Sequence, residues 1–122
     1  MPTRAQHLAQ ANRNRTLYEA LGAQDVAERE WLVVLLFYAV LHVVEAWFAN
    51  YGIHAKTHGE RHARISTHPD LRVIYGRYRQ LRIDSINARY NCWRPSLNDV
   101  QTAHNSLFQH VVAHVTNLPV RR

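Results

Sequence analysis

The chain is short of the residues that punctuate and cross-link a fold. Four glycines and four prolines in 122 residues are too few for the many tight turns of a β-sandwich. A lone cysteine, Cys92, excludes an internal disulfide. Residues 1–15 are polar and lack the apolar stretch of a signal peptide, so a cytoplasmic location is expected. Lysine is almost absent: fourteen of the fifteen basic side chains are arginine, the exception being Lys56. Acidic residues number nine, leaving a net charge of +6 and a pI near 10.1. That balance predicts an anionic partner, nucleic acid or an anionic surface, although codon bias toward arginine is the plainer explanation. No repeat or linker interrupts the chain. Its length predicts one domain, 1–122, around one core.

What is present is helical periodicity. A first helix is expected from about Thr3 to Leu21, with Ala5, Leu8, Leu17 and Leu21 inward and Gly22 as its stop. A second opens at Asp25, with Glu28 completing a capping box, and runs through Trp31 to Phe48 before Gly52. This stretch is apolar nearly all round. It is long enough for a membrane span, but His42 and Glu45 inside it argue for the central helix of a water-soluble bundle and no membrane. Thr57 and Glu60 open a short helix that ends near His68-Pro69. Asp70 is expected to cap a third long helix to Cys92, with Leu71, Ile74, Tyr78, Leu81, Ser85, Ala88 and a packed Cys92 inward. Ser96 and Asp99 cap the last helix, which ends near Asn117, with Val100, Ala103, Leu107, Val111, His114 and Leu118 inward. The reading is all-α: an antiparallel up-and-down bundle of four or five helices.

Arginine and histidine carry the candidate chemistry. Arg72, Arg79, Arg82 and Arg89 form a stripe on the third long helix, from which guanidinium groups can grip phosphate in two-point contact. Tyr75 and Tyr90 lie on the same side and can stack on bases. The plainer alternative is a solvated basic face. His54, His58 and His62 are spaced by four, as are His110 and His114, a spacing that can share a metal. No cysteine cluster or carboxylate pair joins them, so no metal and no cofactor are expected. His42 reads more simply as a hydrogen-bonded core histidine.

Three segments in order resemble the HEPN superfamily (higher eukaryote and prokaryote nucleotide-binding domains). Phe37-Tyr38-Ala39-Val40-Leu41-His42 with Glu45-Ala46 is similar to the family's "YYAMFHAAKAL" helix. Gly52-Ile53 with Lys56-Thr57-His58-Gly59 resembles its "KTHSG" connection, and Leu81-Arg82 with Ala88-Arg89-Tyr90 its "LR…ADY" helix end. The likeness runs from about Glu28 to Asn117. It implies a helical bundle, usually homodimeric, that binds RNA or nucleotide. It also implies settings such as toxin–antitoxin pairs with a cognate antitoxin, or a larger phage-defence complex.

Active members of the family cleave RNA without metal, using an Arg and a His with four to six residues between them. Here the match is Arg61 with His68, in a chain where about three matches arise by chance, and His68 before Pro69 is a poor seat for a rigid catalytic group. A different site is therefore expected. His58, Arg61, His62 and Arg89 form the catalytic constellation, and Arg64, Arg82, Arg89, Tyr90 and His42 contact the nucleic acid or nucleotide. Imidazole would move protons and guanidinium would stabilise phosphorane charge. The rival expectation is a non-catalytic dimerising or partner-binding module.

Overall fold

Three of the four helix caps expected from the sequence, Asp25, Thr57 and Ser96, are formed, and Thr3, expected only as the first residue of its helix, adds another. The computed structural model describes residues 2–119 and contains helices without strands among them. Thr3 caps α1, Arg4–Ala20, in a full capping box with Gln6. Asp25 caps α2, Val26–Ala49, by accepting from the Glu28 amide. Thr57 caps α3, His58–Thr67, by accepting from Glu60. Ser96 and Asp99 form a reciprocal box at the start of α5, Leu97–Thr102. In each case an otherwise orphaned amide gains an acceptor, worth typically about 1 kcal/mol.

Asp70 is the exception. A 3-10 turn, Arg72–Ile74, leads into α4, Tyr75–Tyr90, and neither element has a side-chain cap. The Asp70 amide instead donates to His68 Nδ1. About one turn of the expected helix is thus given over to a tight corner after Pro69.

The helices run alternately up and down. His7, near the start of α1, meets His42 toward the end of α2. Arg89, at the end of α4, reaches back to Tyr38. The last rod begins beside α2, where Arg29 donates to the Pro95 carbonyl, and ends where His114 approaches the Asp70 carbonyl.

At the centre lies α2. Its most apolar window, long enough to cross a membrane, is 78% buried by neighbouring helices. Burial in the bundle therefore accounts for its composition. Phe37, Val40 and Val44 are fully buried there, and Tyr78 and Leu81 pack in from α4. Each such side chain contributes roughly 1.5–3 kcal/mol. Trp47 is part of this core, whereas Trp31 is 59% exposed.

Three expected inner faces shift. On α1 the buried positions are His7 and Ala11, with Tyr18 packed against the core; Ala5 and Leu17 face solvent. Apolar identity misled there, because α1 is mostly polar and its register is chosen by α2. Cys92 is exposed, at positive φ (55°), because α4 ends two residues earlier and the chain turns. The last rod is not uniform: a π segment, Ala103–Phe108, separates α5 from α6, Gln109–Thr116. The wider π turn carries burial from Ala103 to Phe108, then to Val111 and Val115. Leu107 and His114, expected inward, are only partly buried.

Candidate functional site

One face of the apolar α2 is polar. Tyr38, His42 and Glu45 follow at intervals of four and three, which stack on one side of a helix. Each is met by a side chain from a different element, so three small clusters adjoin along this face.

The first cluster centres on a buried ion pair. Arg61 Nε donates to Glu45 Oε1, with both side chains at least nine-tenths buried. The same guanidinium approaches His58 Nδ1 at 3.3 Å and the Ala55 carbonyl at 3.4 Å. Thr57 starts α3 so that His58 and Arg61, three apart, share this inward side. One turn outward, Arg82 lies 3.5 Å from His62 Nε2, and the His62 ring stands edge-on to Tyr75 and Tyr78.

Burial pushes the His58 pKa down, reinforced by the fields of Arg82, Arg61 and Arg89. His62 is lowered by burial too, then by Arg82, His58, Arg61 and Arg79. Both are therefore neutral imidazoles among cations. Burial likewise holds the Tyr78 phenol far above its usual range, partly offset by Arg61. Among the described residues no partner takes its buried hydroxyl.

The second cluster closes α4. Arg89 donates to the Tyr38 hydroxyl at 2.9 Å. It also lies over the Tyr38 and Tyr90 rings, 5.4 and 4.9 Å from their centroids. Tyr90 is 70% exposed, leaving an aromatic face open beside a guanidinium.

The third cluster pairs two histidines across α1 and α2, Nδ1 to Nδ1 at 3.0 Å. They line a groove of about 550 Å³ with Pro2, Gln6, Gln10 and Arg13. Desolvation lowers the pKa of both. For His7 Glu45 opposes that and His54 and Arg61 assist it; His42 is pulled down to about 4, helped by His7, Arg61 and Arg13. Glu45 and Arg61 thus lie near enough for their fields to reach the histidine pair.

From the expected set the structure pairs Arg61 with His58, Arg82 with His62 and Arg89 with Tyr90, while His42 pairs with His7 in a separate cluster. Arg64 stands apart, exposed and paired with Glu60 at 3.6 Å. Arg72 and Arg79 are exposed, outside the bonded clusters. His68 of the Arg61–His68 spacing is committed to its corner, accepting from Asp70 and packing against Trp47. Among the described residues, no group of three or more His, Cys, Asp or Glu side chains is placed to hold a metal ion.

Sequence reasoning missed His7. Its signal was its place on the face His7, Ala11, Tyr18, visible only once α1 is registered on α2. Comparison with known protein families, curated proteins and solved structures finds no significant match to this chain.

Proposed function

We propose that this bundle is a HEPN-like domain that binds RNA or a nucleotide through the α3–α4 face. The observation that carries the reading is the cationic character of the α3–α4 side, with Arg61 against His58, Arg82 against His62, and Arg89 over the exposed Tyr90 ring. Guanidinium groups supply two-point phosphate contacts, neutral imidazoles donate further hydrogen bonds, and Tyr90 offers a stacking surface for a base. Glu45, the carboxylate bonded into this cluster, is already occupied by Arg61, so it does not cancel the field of Arg82 and Arg89. Within this reading the domain acts as a homodimer, as HEPN-like domains usually do. It belongs to a toxin–antitoxin or phage-defence assembly and cleaves RNA by metal-independent transesterification. The exposed Trp31 is the natural aromatic anchor for a second subunit.

The rival reading, a non-catalytic partner-binding module, gains from one observation. Arg61 is buried and paired, and it occupies the Nδ1 of His58. Fluorescence anisotropy with a labelled single-stranded RNA of mixed sequence separates the two. RNA binding that weakens in Arg82→Ala and Arg89→Ala supports the proposal. Failure of the unmodified protein to bind RNA or mononucleotides at low salt overturns it in favour of the rival.

A further inference from the structure

Hydrogen-bond bookkeeping constrains every imidazole in the site. A guanidinium donates and cannot accept. His58 Nδ1, facing Arg61, is therefore an acceptor, and neutral His58 carries its proton on Nε2. By the same rule His62 Nε2 accepts from Arg82, and its proton is on Nδ1. Both basic nitrogens are thereby taken by arginine. These two histidines can donate to phosphate, but neither has a free lone pair with which to remove a proton.

His7 and His42 differ. Their Nδ1 atoms are 3.0 Å apart while the ring centroids are 5.3 Å apart, so the rings point at each other through those nitrogens. One Nδ1 must be protonated and the other must accept. In the neutral pair the donor ring then has a bare Nε2, and the acceptor ring has an Nε2–H. Neither Nε2 is bonded to a described residue, and neither is among the buried unpaired polar atoms. Both rings line the groove that Arg13 shares.

We infer that His7 and His42 together form the acid–base pair of the site, acting on an RNA phosphodiester held against Arg13 and the neighbouring cationic face. This rests on the RNA-binding reading above and moves proton transfer away from His58 and His62. The bare Nε2 takes the proton of a ribose 2′-hydroxyl as that oxygen forms its bond to phosphorus. The shared Nδ1 proton crosses to the partner ring. The partner's Nε2–H passes to the departing 5′-oxygen as its P–O bond breaks. The products are a 2′,3′-cyclic phosphate and a 5′-hydroxyl end. The pair is left neutral in its mirror tautomer, and no co-reactant is consumed. Guanidinium groups stabilise the charge on the phosphorane. The charged and titratable groups around the pair are Arg13, Glu45, His54 and Arg61.

The test incubates labelled single-stranded RNA with the whole protein in EDTA, with anisotropy measured on the same samples. The expected result is cleavage to cyclic-phosphate ends by the unmodified protein. His7→Gln and His42→Gln should each slow it roughly a hundredfold or more while still binding RNA, and the distant His110→Gln should cleave normally. The pH profile provides a readout without any variant. A neutral relay gives a rate that holds on the alkaline side of neutral, whereas independent acid and base imidazoles give a bell. ¹⁵N spectra of the unmodified protein should show His58 protonated on Nε2. RNA bound without cleavage, unslowed cleavage in both folded variants, or a bell-shaped profile overturns the inference and leaves the binding reading standing. Absence of RNA binding removes both.

Discussion

Glu45 and Arg61 illustrate how a single buried pair organises its surroundings. Charges out of water are tolerated when paired and hydrogen-bonded, and removing one partner strands the other. Arg61→Ala should therefore cost roughly 3–5 kcal/mol in urea unfolding. Arg61→Met combined with Glu45→Met should cost much less, because neither charge is then buried alone. The buried histidines add to the pH dependence with the same sign as the usual paired carboxylates, losing stability as pH falls. His42 titrates near 4 in the fold against an ordinary value of 6.5. Between those values the unfolded chain binds a proton that the folded chain refuses, so stability falls as pH drops from about 6.5 to 4. Thermal melts across that window should show the decline, and His42→Gln should flatten part of it. Glu45 and His42 stood out in the sequence as polar residues in an apolar run, but their partners, sixteen positions ahead and thirty-five behind, did not.

At the scale of elements, capping chemistry was legible because it is local: an acceptor side chain and an amide three residues on settle it. The inward faces were legible where apolar residues recur strictly, as from Leu71 to Ala88. They failed on α1, whose register is imposed by α2, and after Ala103, where the π turn adds one residue to the spacing. π segments of this kind behave as single-residue insertions in an α-helix. Deleting the exposed Asn105 should restore ordinary helical spacing and keep Ala103 and Phe108 on the buried side. The expected cost is about 1 kcal/mol or less, since the affected residues are at the surface. Circular dichroism and a thermal melt would check it; collapse of the fold would show that the wider turn is required for packing.

For the whole molecule the net charge of +6 matters through where it is concentrated. Affinity for single-stranded RNA should fall with salt, with a log–log slope near −0.7 for each phosphate neutralised. Arg82→Ala and Arg89→Ala should each shallow the slope by about that amount. Arg64→Ala, whose charge is held by Glu60 in solvent, should alter it less. Anisotropy titrations at several salt concentrations decide the matter, and equal slopes for all three variants would mean the charge acts diffusely.

By itself the sequence determined the helical class, most element boundaries and the central place of the apolar segment. These depend on periodicity and on contacts a few residues apart, which chain order encodes directly. Tertiary structure alone decided which nitrogen of each histidine is occupied. It also decided that Arg61 is spent on Glu45, and that His7 meets His42 through Nδ1. Those outcomes depend on helices meeting at a definite register and rotation, and that is settled by packing around α2 rather than by any local pattern.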